Sequence, residues 1–202
     1  MKKTLLLLAG LSLFSSQANA TPSAVILNFD DVPGGSIQNQ YGGMLTYKGF
    51  NLSYTLDWID VEDTPSWNSG AKSGDFAILN NNGGIGTITE ENEEDFTFDG
   101  LWAKRWSTPK ESGGADSLFG TLQGYNNGAQ VWSVDTSLNG SYEYYDAQSG
   151  LIDELKLDFG NHFLVDNIAL TVSPVPEPSS IALMLGGLGL VGFMAARRAK
   201  KA

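Results

Sequence analysis

The sequence predicts an all-β fold: a single antiparallel β-sandwich, jelly-roll-like, flanked by an N-terminal signal helix and a C-terminal transmembrane helix. Three observations predict it. Residues 21–173 have no helical period but alternate apolar and polar side chains with a period of two. Gly and Asn clusters, which tolerate positive φ in tight turns, cut that stretch into short runs. The two ends of the chain, unlike its middle, are apolar segments beside basic residues.

Residues 1–20 come first. Met1-Lys2-Lys3 is a charged start, residues 4–14 are mostly apolar, and Ala18-Asn19-Ala20 is an A-x-A cleavage site. This is a secretory signal peptide, recognised by the Sec machinery and cut by signal peptidase, so the mature chain begins at Thr21. The sandwich domain follows over 21–173. From 50 to 58 the even positions are Phe50, Leu52, Tyr54, Leu56 and Trp58, and the odd ones are Asn51, Ser53, Thr55 and Asp57. That pattern predicts one strand with one buried face. Leu155, Leu157 and Phe159 alternate with Glu154, Lys156 and Asp158 in the same way. Further strands are predicted at 25–29, 76–79, 85–89, 96–106, 117–124, 130–136, 141–145 and 162–172. Many short strands with such turns predict an antiparallel sandwich or jelly roll. A Pro-rich linker occupies 174–180, and an apolar segment with a basic end occupies 181–202.

The apolar run 181–196 would span ~24 Å as a helix at ~1.5 Å per residue. That is short of the ~30 Å hydrocarbon core, but the arginines that follow can snorkel. Arg197 and Arg198 then stop the membrane anchor and mark the cytoplasmic side, leaving the body outside. The run is a processed sorting tail, a plain anchor, or an apolar helix packed on the body. The contiguous Val175-Pro176-Glu177-Pro178-Ser179, the apolar run and the Arg-rich end together resemble a PEP-CTERM sorting signal. The resemblance covers about 174–202. It implies an exosortase as processing partner in a Gram-negative bacterium. It also implies an inner-membrane stage before processing, a final place at the cell surface or outside it, and association with exopolysaccharide in an extracellular matrix or biofilm.

Two further stretches carry a second resemblance. Residues 28–35, Gln40-Tyr41-Gly42-Gly43, Gly49-Phe50 and residues 163–170 are similar to the opening and closing strands of jelly-roll domains found among PEP-CTERM proteins. Those domains resemble galactose-binding-like and carbohydrate-binding modules.

Composition narrows the chemistry. The body carries six Lys and Arg against 22 of the 23 acids, a net charge of −16. Such a surface repels nucleic acid and attracts divalent cations. The chain has no cysteine and one histidine, His162, which excludes thiol chemistry and His-rich zinc sites. Asp166 is in phase with Leu164, Ile168, Leu170 and Val172 on the last strand, which points a carboxylate inward. An inward carboxylate needs a partner. If the first and last strands are neighbours, Asp30, Asp31 and Asp166 are a candidate Ca2+ set, the only cofactor the sequence suggests. The alternative is that Asp166 caps turn amides or meets a cation, with Asp30 and Asp31 in an Asx turn. The acidic runs 57–63 and 90–95 read as solvated loop faces. Among the aromatics, Trp67 lies in a predicted loop and is a candidate sugar-stacking residue, whereas Trp58 and Trp102 read as core.

No spacing singles out a catalytic group, so the chain does not read as an enzyme. The expected function is an exported, exosortase-processed protein whose non-catalytic sandwich binds or organises exopolysaccharide. A self-associating structural matrix protein is the alternative, and a glycoside hydrolase a more distant one.

Overall fold

The computed structural model describes residues 21–31, 41–62, 69–81, 83–114, 116–173, 184–192 and 197. The chain divides into two compact units, Thr21–Val175 on one hand and Met1–Ala20 with Pro176–Ala202 on the other. In the second unit residues 184–192 are helical. No helix among the described residues is long and apolar enough to cross a membrane. The expected signal peptide, the expected linker with Val175, Pro176, Glu177, Pro178 and Ser179, the expected anchor-stop residue Arg198, and Trp67 all lie outside the described residues.

The first unit is built from β1 (Ser23–Leu27), β2 (Tyr41–Gly43), β3 (Thr46–Tyr47), β4 (Phe50–Leu52), β5 (Leu56–Asp60), β6 (Phe76–Asn80) and β7 (Gly86–Glu90). They are followed by β8 (Phe96–Arg105), β9 (Leu118–Asn126), β10 (Ala129–Leu138), β11 (Glu143–Asp146), β12 (Glu154–Asp158) and β13 (Phe163–Val172). All strand pairs are antiparallel. One sheet, A, runs β11-β8-β13-β6-β5-β2, with β1 also on β13; the other, B, runs β10-β9-β12-β7-β4-β3. The sandwich expected from the period of two is therefore present.

The apolar side chains of the two sheets meet in one core, which includes Leu27, Phe50, Phe96, Phe98, Leu122, Leu155, Phe163 and Ile168. Phe50 meets Phe96 edge-on at 5.3 Å, and Phe159 meets Phe163 at 4.9 Å. Each such burial contributes ~1.5–3 kcal/mol before entropy is counted. A second cluster of Ile59, Val61, Ala71, Ala77, Leu79, Tyr142 and Leu164, with Trp102 and Trp106 against it, lies on the other face of sheet A. Leu164 belongs to it while Phe163 and Val165 belong to the first core, as alternation requires.

Two predicted strands differ in detail. The run 50–58 is not one strand. The Leu56 amide bonds back to the Ser53 carbonyl at 2.9 Å, and the Ser53 and Thr55 hydroxyls meet at 2.8 Å. This turn sends β4 into sheet B and β5 into sheet A and leaves Tyr54 78% exposed. β13 is also not in one phase. A bulge follows Asp166, where Asn167 takes φ 51°. Leu164 faces the second cluster, and beyond the bulge Ile168 and Leu170 face the main core.

Candidate functional site

The bulge in β13 is also where its neighbour changes. Leu164 and Val165 pair with β6, and residues from Ile168 to Val172 pair with β1. The first and last strands are neighbours, as the sequence suggested. The end of β1 and the segment entering β6 converge on Asp166. Asp166 is fully buried. Its Oδ2 accepts from the Lys72 and Ser73 amides at 2.8 and 2.9 Å, and its Oδ1 from the Asn167 amide at 2.6 Å. Burial pushes its pKa up to about 7, against the pull of the three amides and with a small push from Asp30.

Asp30 sits beside this group. The Ser73 hydroxyl lies within reach of Asp30 Oδ2 at 3.2 Å and Asn167 Oδ1 at 3.0 Å. Gly74 holds φ +56°, which favours glycine, and a Cβ there would fall 2.0 Å from Asp30 Oδ1 and displace that side chain. Asp31 turns elsewhere. It accepts from the Tyr47 hydroxyl, which lowers its pKa, and pairs with Lys48 at 3.7 Å. Of the three acids expected to share calcium, only Asp30 and Asp166 are brought together. Among the described residues no group of three or more His, Cys, Asp or Glu is arranged to hold a metal ion. The charge of Asp166 is met by amide donors, the turn-capping alternative that the sequence left open.

Residues 69–73 form a strap over the second cluster, fixed almost wholly through its backbone. Buried Lys104 donates from Nζ to the Ser69 carbonyl at 2.7 Å, and buried Tyr142 donates to the Gly70 carbonyl at 3.0 Å. The Ala71 amide donates to Glu62 Oε1 at 3.1 Å. Burial lowers the Lys104 pKa and raises that of Tyr142. Lys72 extends over the Trp102 ring at 3.7 Å, so Trp102 is a cluster-edge residue capped by a cation. Trp58, half-buried, packs on the main core beside Phe76.

Among the described residues, the outer face of sheet B carries no such strap. Its outward positions form cross-strand rows. In one row Thr46 pairs with Asn51, Asn51 with Thr89, Thr89 with Glu154, Glu154 with Tyr125 and Tyr125 with Gln130. It crosses all six strands, ~24 Å at ~4.8 Å per strand. A groove of about 550 Å³ meets the middle of this row at Asn51, Thr89 and Glu154, and is lined further by Glu90, Glu91, Glu93, Asp95, Asn127 and Asp153. Every lining side chain is an amide, a hydroxyl or a carboxylate. Asp153 Oδ2 accepts from the Asn127 amide at 2.7 Å, and Lys156 pairs with Glu154 at 3.2 Å while lying over the Tyr125 ring at 3.9 Å.

The acidic runs expected to be solvated are partly structural. Asp57 and Asp60 are buried in β5, and buried Glu90 accepts from the Asn92 and Glu94 amides at 2.5 and 3.1 Å. The groove draws Glu90, Glu91, Glu93 and Asp95 from the second acidic run, and sequence alone does not bring Asn51, Asn127, Asp153 and Glu154 beside that run. Its local signals are that acidic run and the polar half of the alternating runs.

A model of the PEP-CTERM protein-sorting motif matches residues 174–199. The motif implies sorting by an exosortase. No curated protein matches the chain. Among solved structures, a likeness is found to the C-terminal family 22 carbohydrate-binding module of Clostridium thermocellum Xyn10B. It has 14% identity and a TM-score of 0.35 and covers 63% of this chain and 87% of that one. At that identity and score the likeness fixes neither ligand nor site.

Proposed function

We propose that this chain is an exported, exosortase-processed surface or matrix protein whose sandwich binds a neutral polysaccharide without cleaving it. The ligand lies across the outer face of sheet B. The observation that carries this reading is the cross-strand row from Thr46 to Gln130, with a groove lined by polar side chains at its middle. Sugar hydroxyls both donate and accept, so they suit a wall of amides, hydroxyls and carboxylates. A row ~24 Å long fits several linked rings better than one small molecule. The acids of the groove repel an anionic chain, which favours a neutral one. The single histidine, at 3.2 Å from the Asn81 carbonyl, is engaged with backbone, which accords with a non-catalytic role.

Binding to a glycan array tests the body. Asn51→Ala with Glu154→Ala removes two ligand hydrogen bonds of ~0.5–1.5 kcal/mol each and weakens affinity roughly tenfold. Unchanged affinity in the double variant would sink the sheet B site. For the tail, the reading is that the protein is held in the inner membrane until the exosortase acts. Replacing Pro176, Glu177 and Pro178 with alanine then leaves full-length protein in that membrane, and normal release of a shortened product would contradict it.

A second reading, self-association, is favoured by one observation. The β9 and β10 strands, on a body of net charge −16, carry a single charged residue, Asp135. Like-charged bodies approach most easily there. Sedimentation at low and high salt separates the two readings, since only this one requires oligomers without glycan.

A further inference from the structure

A second cavity, of about 170 Å³, lies at the opposite end of β9 from the sheet B groove. It is lined by Arg105, Trp106, Ser107, Leu118, Asn161 and His162. Leu118 and Asn126 stand ~26 Å apart at ~3.3 Å per residue, so the two sites are separate. No lining residue is acidic, and the lining holds the body's only arginine and its only histidine.

The other five cations of the body are engaged. Lys48 pairs with Asp31, Lys110 with Glu62 at 2.5 Å, and Lys156 with Glu154. Lys104 is buried beneath carbonyls, and Lys72 caps Trp102. Arg105 differs. One nitrogen, Nη1, donates to the Asp116 carbonyl at 2.6 Å, and no ion pair of Arg105 is found among the described residues. That bond fixes the guanidinium without neutralising it and leaves further donors for an anion.

The wall is pre-formed. The Trp106 amide donates to the His162 carbonyl at 3.2 Å, and the Arg105 amide donates to the Asn139 carbonyl at 2.8 Å. Ser107 holds φ 62°, a left-handed conformation uncommon outside glycine. The strand ends of β8 and β13 are thus locked side by side around the opening.

We propose that this cavity is a second glycan subsite, selective for a single carboxylate-bearing sugar unit. The Arg105 guanidinium binds the carboxylate, Trp106 offers an apolar ring face to the sugar C–H groups, and Asn161 and Ser107 meet hydroxyls. The size fits one ring, since pockets for larger ligands run ~300–1,000 Å³. A carboxylate is repelled by a body of net charge −16 and finds here a guanidinium with no ion pair among the described residues and no acid in the wall. The inference rests on the reading of the body as glycan-binding, and it adds an acidic residue on or at the end of an otherwise neutral chain.

The test titrates isotope-labelled full-length chain with D-glucuronate, D-glucose and acetate, followed by NMR at the Trp106 indole and the Asn161 side-chain amide. Glucuronate is expected to shift both signals saturably, with glucose and acetate at least roughly tenfold weaker. Arg105→Ala is expected to weaken glucuronate by roughly tenfold or more, and Arg105→Lys by less, with other signals unmoved. Equal response to acetate, which would mark a simple-anion site, overturns the proposal. So does a glucuronate affinity unchanged in Arg105→Ala, or no response at all. A neutral oligosaccharide in the same samples separates the levels. If it binds the sheet B row while glucuronate leaves the cavity silent, only the subsite falls; if neither binds, the glycan reading falls with it.

Discussion

The outer faces of the two sheets begin from the same sequence pattern and end differently. On sheet B the strands alternate inward and outward, as in β7, where Ile88 is buried and Thr87 and Thr89 are half-buried. On sheet A both faces of β5 are covered, because the strap and its neighbours close over Ile59, Leu79 and Leu164. The difference teaches where polar side chains have a structural role and where they are available. On the closed face Lys104, Tyr142 and Asp166 are buried, and each is matched to backbone groups of one short segment. On the sheet B face Asn51, Thr89 and Glu154 of the row line a groove together with acids of neighbouring loops.

The largest expected effect comes from opening the closed face. Leu164→Ala removes a fully buried side chain from the second cluster and is expected to cost ~2–5 kcal/mol in a denaturant melt. A cost below ~1 kcal/mol, within the range of surface changes, would mean that sheet A is open on that side.

Asp166 sharpens the comparison through pH. Its folded pKa of about 7 lies above the unfolded value near 3.8, so protonation favours the folded state. Its contribution is whole below pH ~4 and is lost as pH rises to about 7, at up to ~1.4 kcal/mol per unit. Melts from pH 4 to 8 are expected to show a flatter loss of stability for Asp166→Asn than for wild type over that window. Parallel curves would show that the carboxyl is not buried as described.

Tyr142→Phe is expected to cost ~1–3 kcal/mol, because the Gly70 carbonyl then stays buried without its donor. Thr87→Ala on the open face is expected to stay within ~0.5 kcal/mol of wild type. Equal costs at the two positions would erase the distinction between the faces.

Most of the fold was legible because alternation reports one-sided burial directly. The strands at β6, β8, β12 and β13 lie within a few residues of their predicted bounds. The adjacency of Asp30 and Asp166 was legible too, from the expectation that the first and last strands pair. The rest depended on contacts distant in sequence. The turn at Tyr54 is invisible to alternation because Tyr54 keeps the phase while standing in solvent. β2 and β3, of three and two residues, are too short to show a period. The strap was unreadable because it is held by its backbone, whose donors and acceptors carry no residue identity. The same lack of local signal hid the sheet B row, whose members come from six different strands.

The claim that the open face of sheet B is the glycan-binding face has one direct test. NMR shift mapping of the full-length chain with a neutral oligosaccharide should move signals of Asn51, Thr89, Asn127 and Glu154. Those of Lys72, Trp102 and Tyr142 on the closed side should stay in place. Shifts confined to the sheet A side, or spread evenly over both faces, would contradict the account.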